Sequence, residues 1–87
     1  IEKDKIDCPR EKNESILEAM KDSYADHQVA DIDGVKILFD QDTWLLFRPS
    51  GNAPEFRVFA ESRDPQKAKQ LVAEGMGKVK ALIGASR

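Results

Sequence analysis

Apolar side chains near the start of the chain recur at the spacing of an amphipathic helix. We predict this helix from Arg10 to about Asp26, with Pro9 at a position that suits the first turn of a helix. Its apolar stripe comprises Ile16, Leu17, Met20 and Tyr24. Because helical residues three or four positions apart lie on the same side, these side chains can contact one neighbouring layer. The first helix is therefore expected to bury one face.

A second apolar stripe predicts a longer helix at the other end of the chain. Asp64 suits the N-cap of this helix, and Pro65 suits its first helical position. The stripe comprises Ala68, Leu71, Val72, Gly75, Val79, Leu82 and Ile83. A glycine lowers helix stability by about 1 kcal/mol relative to alanine, so we interpret Gly75 as a point of close packing against a sheet. Gly84 is predicted to cap the C-terminal end.

Between the two helices the apolar period changes to two, which predicts β-strands. Alternating runs occupy residues 29–32, 35–40, 43–48 and 56–61. Asp33 and Gly34 separate the first two runs, and this pair is typical of a two-residue hairpin turn with positive φ at both positions. Residues 3–8 alternate more weakly and are a candidate for a short leading strand.

Together these elements predict an α+β fold, an antiparallel four-stranded sheet with two helices on one face. Two amphipathic helices need a shared apolar surface, and one face of the sheet supplies it. The opposite face, called the open face below, is predicted to carry Lys36, Leu38, Trp44, Leu46, Arg57 and Phe59. This set is too apolar to face water alone, so we expect a partner domain to cover part of it.

The composition indicates one small soluble domain, residues 1–87, with 40% hydrophobic and 34% charged residues. The net charge of −2 argues against nucleic-acid binding, which normally uses a basic surface. No apolar run approaches the roughly 20 residues of a membrane span. Cys8 is the only cysteine, which excludes an internal disulfide and favours a cytoplasmic location. The first residue is Ile1 rather than Met, so we expect a fragment of a longer protein.

The most concentrated set of polar groups lies between the last two predicted strands. The sequence there is Arg48-Pro49-Ser50-Gly51-Asn52-Ala53-Pro54. Arg48 offers a planar guanidinium that suits a phosphate, while Ser50 and Asn52 offer a hydroxyl and a carboxamide. Gly51 allows a close backbone approach and a conformation closed to other residues, and successive N–H groups can surround an anion. The loop is therefore a candidate site for phosphate or another small oxyanion.

An ordinary turn is the open alternative, because Pro, Ser, Gly and Asn are common turn residues. In that case Arg48 would pair with a nearby carboxylate. The carboxylates considered are Asp42, Glu55 and Glu61. Arg57 is predicted to pair with Glu61 on the same face of its strand. His27 has no second ligand at metal spacing, so no catalytic or metal-binding residue is predicted.

The loop and its flanks resemble the phosphate-binding loop of the α-D-phosphohexomutase family, the phosphoglucomutases and phosphomannomutases. The family loop usually reads Arg-Pro-Ser-Gly-Thr-Glu-Pro, so Asn52 and Ala53 depart from the common residues. The similar flanks are Asp33-Gly34-Val35-Lys36-Ile37, Trp44-Leu45-Leu46-Phe47 and Phe56-Arg57-Val58-Phe59-Ala60-Glu61. The resemblance covers most of the chain, from the first predicted helix to the last.

The resemblance implies the fourth and last domain of a larger phosphohexomutase, with a fold like that of the TATA-binding protein. It also implies which residues bind the substrate phosphate, namely Arg48, Ser50, Gly51 and Asn52. A phosphoserine and Mg²⁺ in the earlier domains would transfer a phosphoryl group between the 1- and 6-positions of a hexose. The domain itself would need no cofactor. Its partners would be a hexose phosphate and the other domains of the enzyme, without nucleic acid or membrane. The alternative is a non-enzymatic α+β module that binds a protein through the open face.

Overall fold

The chain folds into an antiparallel β-sheet with two helices packed on one face. The computed structural model describes residues 1–31 and 33–84. In chain order the elements are β1 (Glu2–Asp7), a single 3-10 turn (Arg10–Lys12), α1 (Asn13–Ser23), β2 (Gln28–Ala30), β3 (Val35–Leu38), β4 (Trp44–Pro49), β5 (Glu55–Glu61) and α2 (Pro65–Gly84). The predicted α+β class is confirmed, and the likeness to the TATA-binding-protein fold stays a prediction.

The sheet contains five strands in the order β1-β5-β4-β3-β2, and all neighbours are antiparallel. The predicted count of four strands was wrong. The meander from β2 to β5 does contain four strands, but β1 pairs with β5 along its whole length and adds a fifth at the edge. The side chains of Lys3, Asp4 and Lys5 are exposed, and Ile6 is half-buried. An edge strand is held mainly by its backbone hydrogen bonds and needs few buried side chains. The sequence of β1 therefore shows only a weak apolar pattern.

The turn before β3 has the predicted backbone conformation but a greater length. Asp33 and Gly34 both have positive φ, at 56° and 130°. The connection from β2 to β3 covers residues 31–34, which is longer than the predicted two-residue turn. A Cβ on Gly34 would collide with the carbonyl oxygen of Phe47 on β4, so this turn requires glycine. Ile32, the last residue of the predicted run, lies outside the described residues.

The first helix is shorter than its predicted range. Its opening residues form the 3-10 turn, and α1 ends at Ser23 because Tyr24 leaves the helical conformation at φ −115° and ψ 28°. The predicted apolar stripe nevertheless packs in or against the core: Ile16, Leu17, Met20 and Tyr24. The periodicity therefore identified the buried face correctly and placed the C-terminal end about one turn too late.

The second helix begins and packs as predicted. The carboxylate of Asp64 accepts a hydrogen bond from the N–H of Gln66 at 3.0 Å, which confirms the N-cap. A Cβ on Gly75 would lie 3.0 Å from Val58 and 3.1 Å from Phe47. The helix therefore approaches the sheet closely at Gly75, as the sequence predicted.

The core lies between the helices and the inner face of the sheet. The side chains with no exposed surface are Val35, Ile37, Leu45, Phe47, Phe56, Val58, Ala60 and Val79. Met76, which was not predicted, is buried with the stripe of α2. Gly84 is the last helical residue described, and its predicted role as a cap depends on residues 85–87, which lie outside the described part of the chain. Of the helices that the structure describes, none is long and apolar enough to cross a membrane.

The open face carries the residues that alternation predicted for it. Of that set, Arg57 is exposed and the others are half-buried: Lys36, Leu38, Trp44, Leu46 and Phe59. The ammonium of Lys36 lies 4.6 Å from the centre of the Trp44 ring, a cation–π contact. Trp44 therefore already has a structural partner on this face.

Candidate functional site

The candidate site is the loop of residues 50–54, which joins β4 to β5 at one end of the sheet. Three main-chain hydrogen bonds hold it: Ser50 N–H to Glu55 carbonyl (2.9 Å), Glu55 N–H to Ala53 carbonyl (2.8 Å) and Cys8 N–H to Pro54 carbonyl (2.8 Å). The last of these connects the loop to the residue that follows β1. The loop is therefore fixed by the ends of three strands, so its donors keep a defined geometry.

Several hydrogen-bond donors of the loop are available to a ligand. The Ser50 hydroxyl oxygen accepts from the N–H of Asn52 at 3.2 Å, which leaves the hydroxyl hydrogen free to donate outwards. Within the described part of the chain, the N–H groups of Gly51 and Ala53 have no hydrogen-bond partner. Gly51 and Asn52 are exposed. The loop thus offers a hydroxyl, two main-chain N–H groups and a side-chain amide.

Gly51 does not have the backbone conformation that the sequence suggested. Of the glycines the structure describes, only Gly34 has positive φ, so the prediction of a conformation closed to other residues was wrong for Gly51. A Cβ on Gly51 would meet no atom within 4 Å. The open space beside its backbone still allows a ligand to approach the N–H groups.

Arg48 precedes the loop on β4 and is exposed on the open face. It forms no ion pair with any carboxylate of the described residues. Asp42 instead binds Arg63 at 2.8 Å, and Glu55 pairs with two other cations. A Cβ on Gly34 would lie 3.4 Å from the Cα of Arg48, so the turn before β3 packs closely against the Arg48 backbone. The internal ion pair of the ordinary-turn alternative is therefore not formed.

Arg57 was not among the predicted site residues, but it lies beside one of them. The strand register places it directly opposite Arg48 on β4, and directly opposite Lys5 on β1. Its guanidinium lies 3.5 Å from the Glu55 carboxylate, so the predicted pair with Glu61 was wrong. We call Lys5, Arg57 and Arg48 the cation row. Only the register of three strands brings them together, and the sequence pattern showed no more than a shared face.

The three positive charges of the cation row form ion pairs with only one carboxylate among the described residues. Like charges directly opposite each other destabilise a sheet, and Glu55 is the one carboxylate paired with the row among the described residues. By ion pairs alone, three positive charges of the row face one paired carboxylate, although Asp7 stands directly opposite Glu55 on β1 and adds a second negative charge at this end of the sheet. An anion bound at the loop would supply the missing charge.

A shallow cavity lies next to the cation row on the open face. Its volume is about 430 Å³, and its lining residues are Lys3, Asp4, Lys5, Arg57 and Phe59. Charged groups beside one aromatic ring can both hydrogen-bond and stack on a polar organic ligand. The cavity beside Lys5 and Arg57 therefore suits a polar organic ligand, although none of its lining residues belongs to the loop.

The remaining titratable groups near the loop do not form a reactive centre. Across residues 1–31 and 33–84, no group of three or more His, Cys, Asp and Glu side chains is arranged to hold a metal ion. Cys8 is 1% exposed, and burial raises the pKa of its thiol. The thiol is therefore protonated and inert at neutral pH. The loop and the cation row present hydrogen-bond donors and cations.

The sequence of the chain matches a known protein family. Residues 5–77 match the phosphoglucomutase/phosphomannomutase C-terminal domain. The chain is 33% identical over 87 residues to a probable phosphoglucosamine mutase of Methanothermobacter thermautotrophicus, covering 94% of this chain and 19% of that protein. It is 39% identical over 84 residues to a probable phosphoglucosamine mutase of Thermococcus kodakarensis, covering 91% of this chain and 17% of that protein. A phosphomannomutase of Sinorhizobium fredii is 46% identical over 46 residues, which cover 53% of this chain and 10% of that protein.

The chain spans about a fifth of the length of the first two of these relatives. The matched region includes the whole loop, all of β4 and β5, and the three residues of the cation row. From the extent of this match we conclude that the chain belongs to the family of phosphoglucomutase/phosphomannomutase C-terminal domains.

Proposed function

We propose that this chain is the substrate-phosphate-binding domain of a phosphohexomutase, and that residues 1–87 form the C-terminal domain of a larger enzyme. The main support is that Arg48, which has no ion pair to any described carboxylate, lies on β4 two residues before a loop whose Gly51 and Ala53 N–H groups have no partner among the described residues. Cations and main-chain donors of this kind match the needs of a phosphate dianion. The relatives are named phosphoglucosamine mutases and a phosphomannomutase. The proposed substrate is therefore a hexose phosphate.

In this proposal each polar group of the loop has a defined role. The guanidinium of Arg48 binds two phosphate oxygens, and the side chains of Ser50 and Asn52 donate hydrogen bonds. Gly51 donates through its main-chain N–H. Arg57, directly opposite Arg48, adds a second cation to the site. None of these groups reacts chemically; together they determine where the phosphate lies.

Two loop residues depart from the pattern common in the family, and their chemistry supports the same role. Asn52 stands where threonine is usual, and its carboxamide retains a hydrogen-bond donor. Ala53 stands where glutamate is usual, which removes a negative charge from the neighbourhood of the phosphate. The loop therefore keeps its donors and gains positive potential.

The energetic contribution of such a domain is positioning. A phosphate held at one end of the sugar fixes the hydroxyl at the other end, which makes the transfer effectively unimolecular. Closure of the domain over the substrate would also exclude water. The transfer between the 1- and 6-positions, with its phosphoserine and Mg²⁺, belongs in this proposal to the other domains. The described residues of this chain hold no metal-binding group of their own.

Titration of the ¹⁵N-labelled chain with inorganic phosphate and with glucose 1-phosphate tests the proposal. We expect the N–H resonances of residues 50–53 and the Arg48 side-chain N–H resonance to shift. A dissociation constant of about 1–10 mM is expected, because one exposed phosphate makes few contacts.

Two arginine variants provide the matched control. Arg48→Gln is expected to abolish the shifts. Arg63→Gln also removes one exposed arginine, but that residue pairs with Asp42 rather than belonging to the site, so it should bind like the wild type. If residues 50–53 stay unmoved at several tens of millimolar ligand, or if Arg48→Gln binds normally, the proposal fails.

The open face supports contact with the other domains of the enzyme. Trp44, Leu46 and Phe59 are half-buried there and keep part of their apolar surface accessible. The non-enzymatic alternative assigns this face to an unrelated protein partner. Leu46→Asp and Arg48→Gln separate the two functions in the complete protein. An interaction module loses association only with Leu46→Asp, whereas a phosphohexomutase loses activity with Arg48→Gln.

A further inference from the structure

Glu55 stands at the junction between the loop and the cation row. It is the first residue of β5, immediately after Pro54. Its carboxylate oxygens lie 3.5 Å from the Lys5 ammonium and 3.5 Å from the Arg57 guanidinium. Its side chain is only 20% exposed. A carboxylate is therefore held beside a site proposed to bind another anion.

The contact between Glu55 and Arg57 is loose. A charge-assisted hydrogen bond has a donor–acceptor distance of about 2.7–2.9 Å, and this pair is at 3.5 Å. The attraction is therefore mainly Coulombic, and the Arg57 side chain is 44% exposed. The Arg57 end of the pair is open to solvent, so we expect the pair to contribute little to stability and to exchange readily. A phosphate dianion carries more charge and more acceptor oxygens than one carboxylate.

We propose that Glu55 is an internal competitor for the phosphate: it holds Arg57 while the loop is empty and releases it when a phosphate dianion binds. This inference rests on the proposed function. Glu55 is thus a positioning residue that acts through Arg57 and does not itself touch the ligand. It lowers the affinity for phosphate and favours release, which suits a domain whose ligand must leave in every turnover.

A purely structural role for Glu55 makes a different prediction. Its pair with Lys5 joins β1 to β5, so the carboxylate could serve only to hold the edge strand. In that case removing the charge would lower stability and leave phosphate affinity unchanged or weaker. The two roles therefore differ in the sign of the effect on binding.

Phosphate titration of charge variants separates these roles. Glu55→Gln is expected to raise the affinity for inorganic phosphate roughly two- to fivefold, the range that follows from the strength of an exposed ion pair. Glu55→Ala, which leaves no side-chain amide, should give a similar gain. Glu61→Gln is the matched control, because Glu61 lies on the same strand and face and has no ion pair among the described residues. Its affinity should equal that of the wild type.

The Arg57→Gln background tests whether the effect passes through Arg57. In that background the gain from Glu55→Gln should vanish. The side-chain N–H resonance of Arg57 should move on phosphate addition in the wild type, and should already be displaced in ligand-free Glu55→Gln. Thermal unfolding of each variant verifies that it is folded.

Two results would overturn the inference: a phosphate affinity that stays equal or falls in both Glu55 variants, or a gain that persists undiminished in the Arg57→Gln background. Either result, together with normal loop shifts in the wild type, removes the role of Glu55 and leaves the proposed function standing. If the wild-type loop shows no shifts at all, the proposed function fails, and this inference fails with it.

Discussion

The inner and open faces of the sheet are built from alternate residues of the same strands, and they differ in what their side chains do. On the inner face Ile37, Leu45 and Phe47 have no exposed surface and pack beneath the helices. On the open face the neighbouring Arg48 and Arg57 are exposed, and their charges are not fully compensated. The comparison indicates that stability depends mainly on the inner face, whereas the proposed phosphate binding would depend on the open face and its loop. Variants of adjacent residues can therefore separate the two properties.

The largest expected effect is a loss of stability when Phe47, on the inner face, is replaced. The Phe47 side chain is fully buried and lies beneath Gly75, where α2 packs closely on the sheet. Phe47→Ala therefore leaves a cavity. We expect a loss of about 3–5 kcal/mol in the free energy of unfolding, measured by urea denaturation. Leu46→Ala, one residue earlier on the open face, should cost less than half as much because Leu46 is only half-buried. Equal losses would mean that the open face contributes to stability as much as the core.

The next largest effect is expected on phosphate affinity, from substitutions of Asn52 in the loop. Asn52→Asp introduces a negative charge beside the proposed phosphate and should weaken phosphate binding about tenfold or more. Asn52→Thr installs the residue common in the family and should bind within about twofold of the wild type, since a hydroxyl can also donate. Both variants keep the main-chain N–H that donates to Ser50, so thermal unfolding should barely change. Equal affinity of the two variants would exclude Asn52 from the site.

Gly75 and Gly77, two of the three glycines of α2, test the packing of the inner face from the helix side. Gly75→Ala places a methyl group 3.0 Å from Val58 and 3.1 Å from Phe47, which should lower the free energy of unfolding by about 1 kcal/mol despite the better helix propensity. Gly77→Ala meets no atom within 4 Å and should raise it by up to about 1 kcal/mol. Opposite shifts of the urea midpoint are expected. Stabilisation by both variants would contradict the tight packing at Gly75.

The smallest effect at neutral pH is expected at Tyr24. Its hydroxyl is buried, and no described residue meets hydrogen-bond geometry with it, although the Glu74 carboxylate lies near enough to raise its pKa. Removing an unsatisfied polar group is nearly neutral or favourable. Tyr24→Phe should therefore raise the free energy of unfolding slightly, by about 0.5 kcal/mol, in urea denaturation at pH 7. A clear loss of stability would show that the hydroxyl makes a favourable interaction.

The same residue predicts a dependence on alkaline pH. Burial, reinforced by the Glu74 carboxylate, raises the pKa of Tyr24 above its ordinary value of 10.0. Burial also raises the pKa of Cys8, and hydrogen bonds to Asp31 and Glu18 raise that of Lys21. The folded state then holds these protons more tightly than the unfolded state, so stability is complete below the ordinary pKa values and falls as pH rises above them. Tyr24→Phe should make this fall shallower in thermal unfolding between about pH 9 and 11, because phenylalanine cannot ionise.

Local periodicity was sufficient to predict both helices and the two faces of the sheet, because each depends on residues close in sequence. The fifth strand could not be predicted, since β1 is fixed by pairing with residues about fifty positions later. Arg57 was missed for the same reason: it stands opposite Arg48 only because of the loop length and the register. At Gly51 the composition suggested a special conformation, but the hydrogen bonds of Ser50 and Glu55 close the loop without one. The local pattern thus predicted the elements, whereas the grouping of residues in the candidate site depends on long-range pairing.

The cation row also affects how an ion reaches the surface. The chain as a whole carries a net charge of −2, so at long range it repels a dianion. The Debye length at physiological ionic strength is about 8 Å, and the distant acidic residues are therefore screened more strongly than the cations beside the approaching ion. In the proposed function, the rate at which a phosphate reaches the loop would therefore depend on the local field of nearby charges. The net charge of an acidic protein is consequently a poor guide to which ions it attracts.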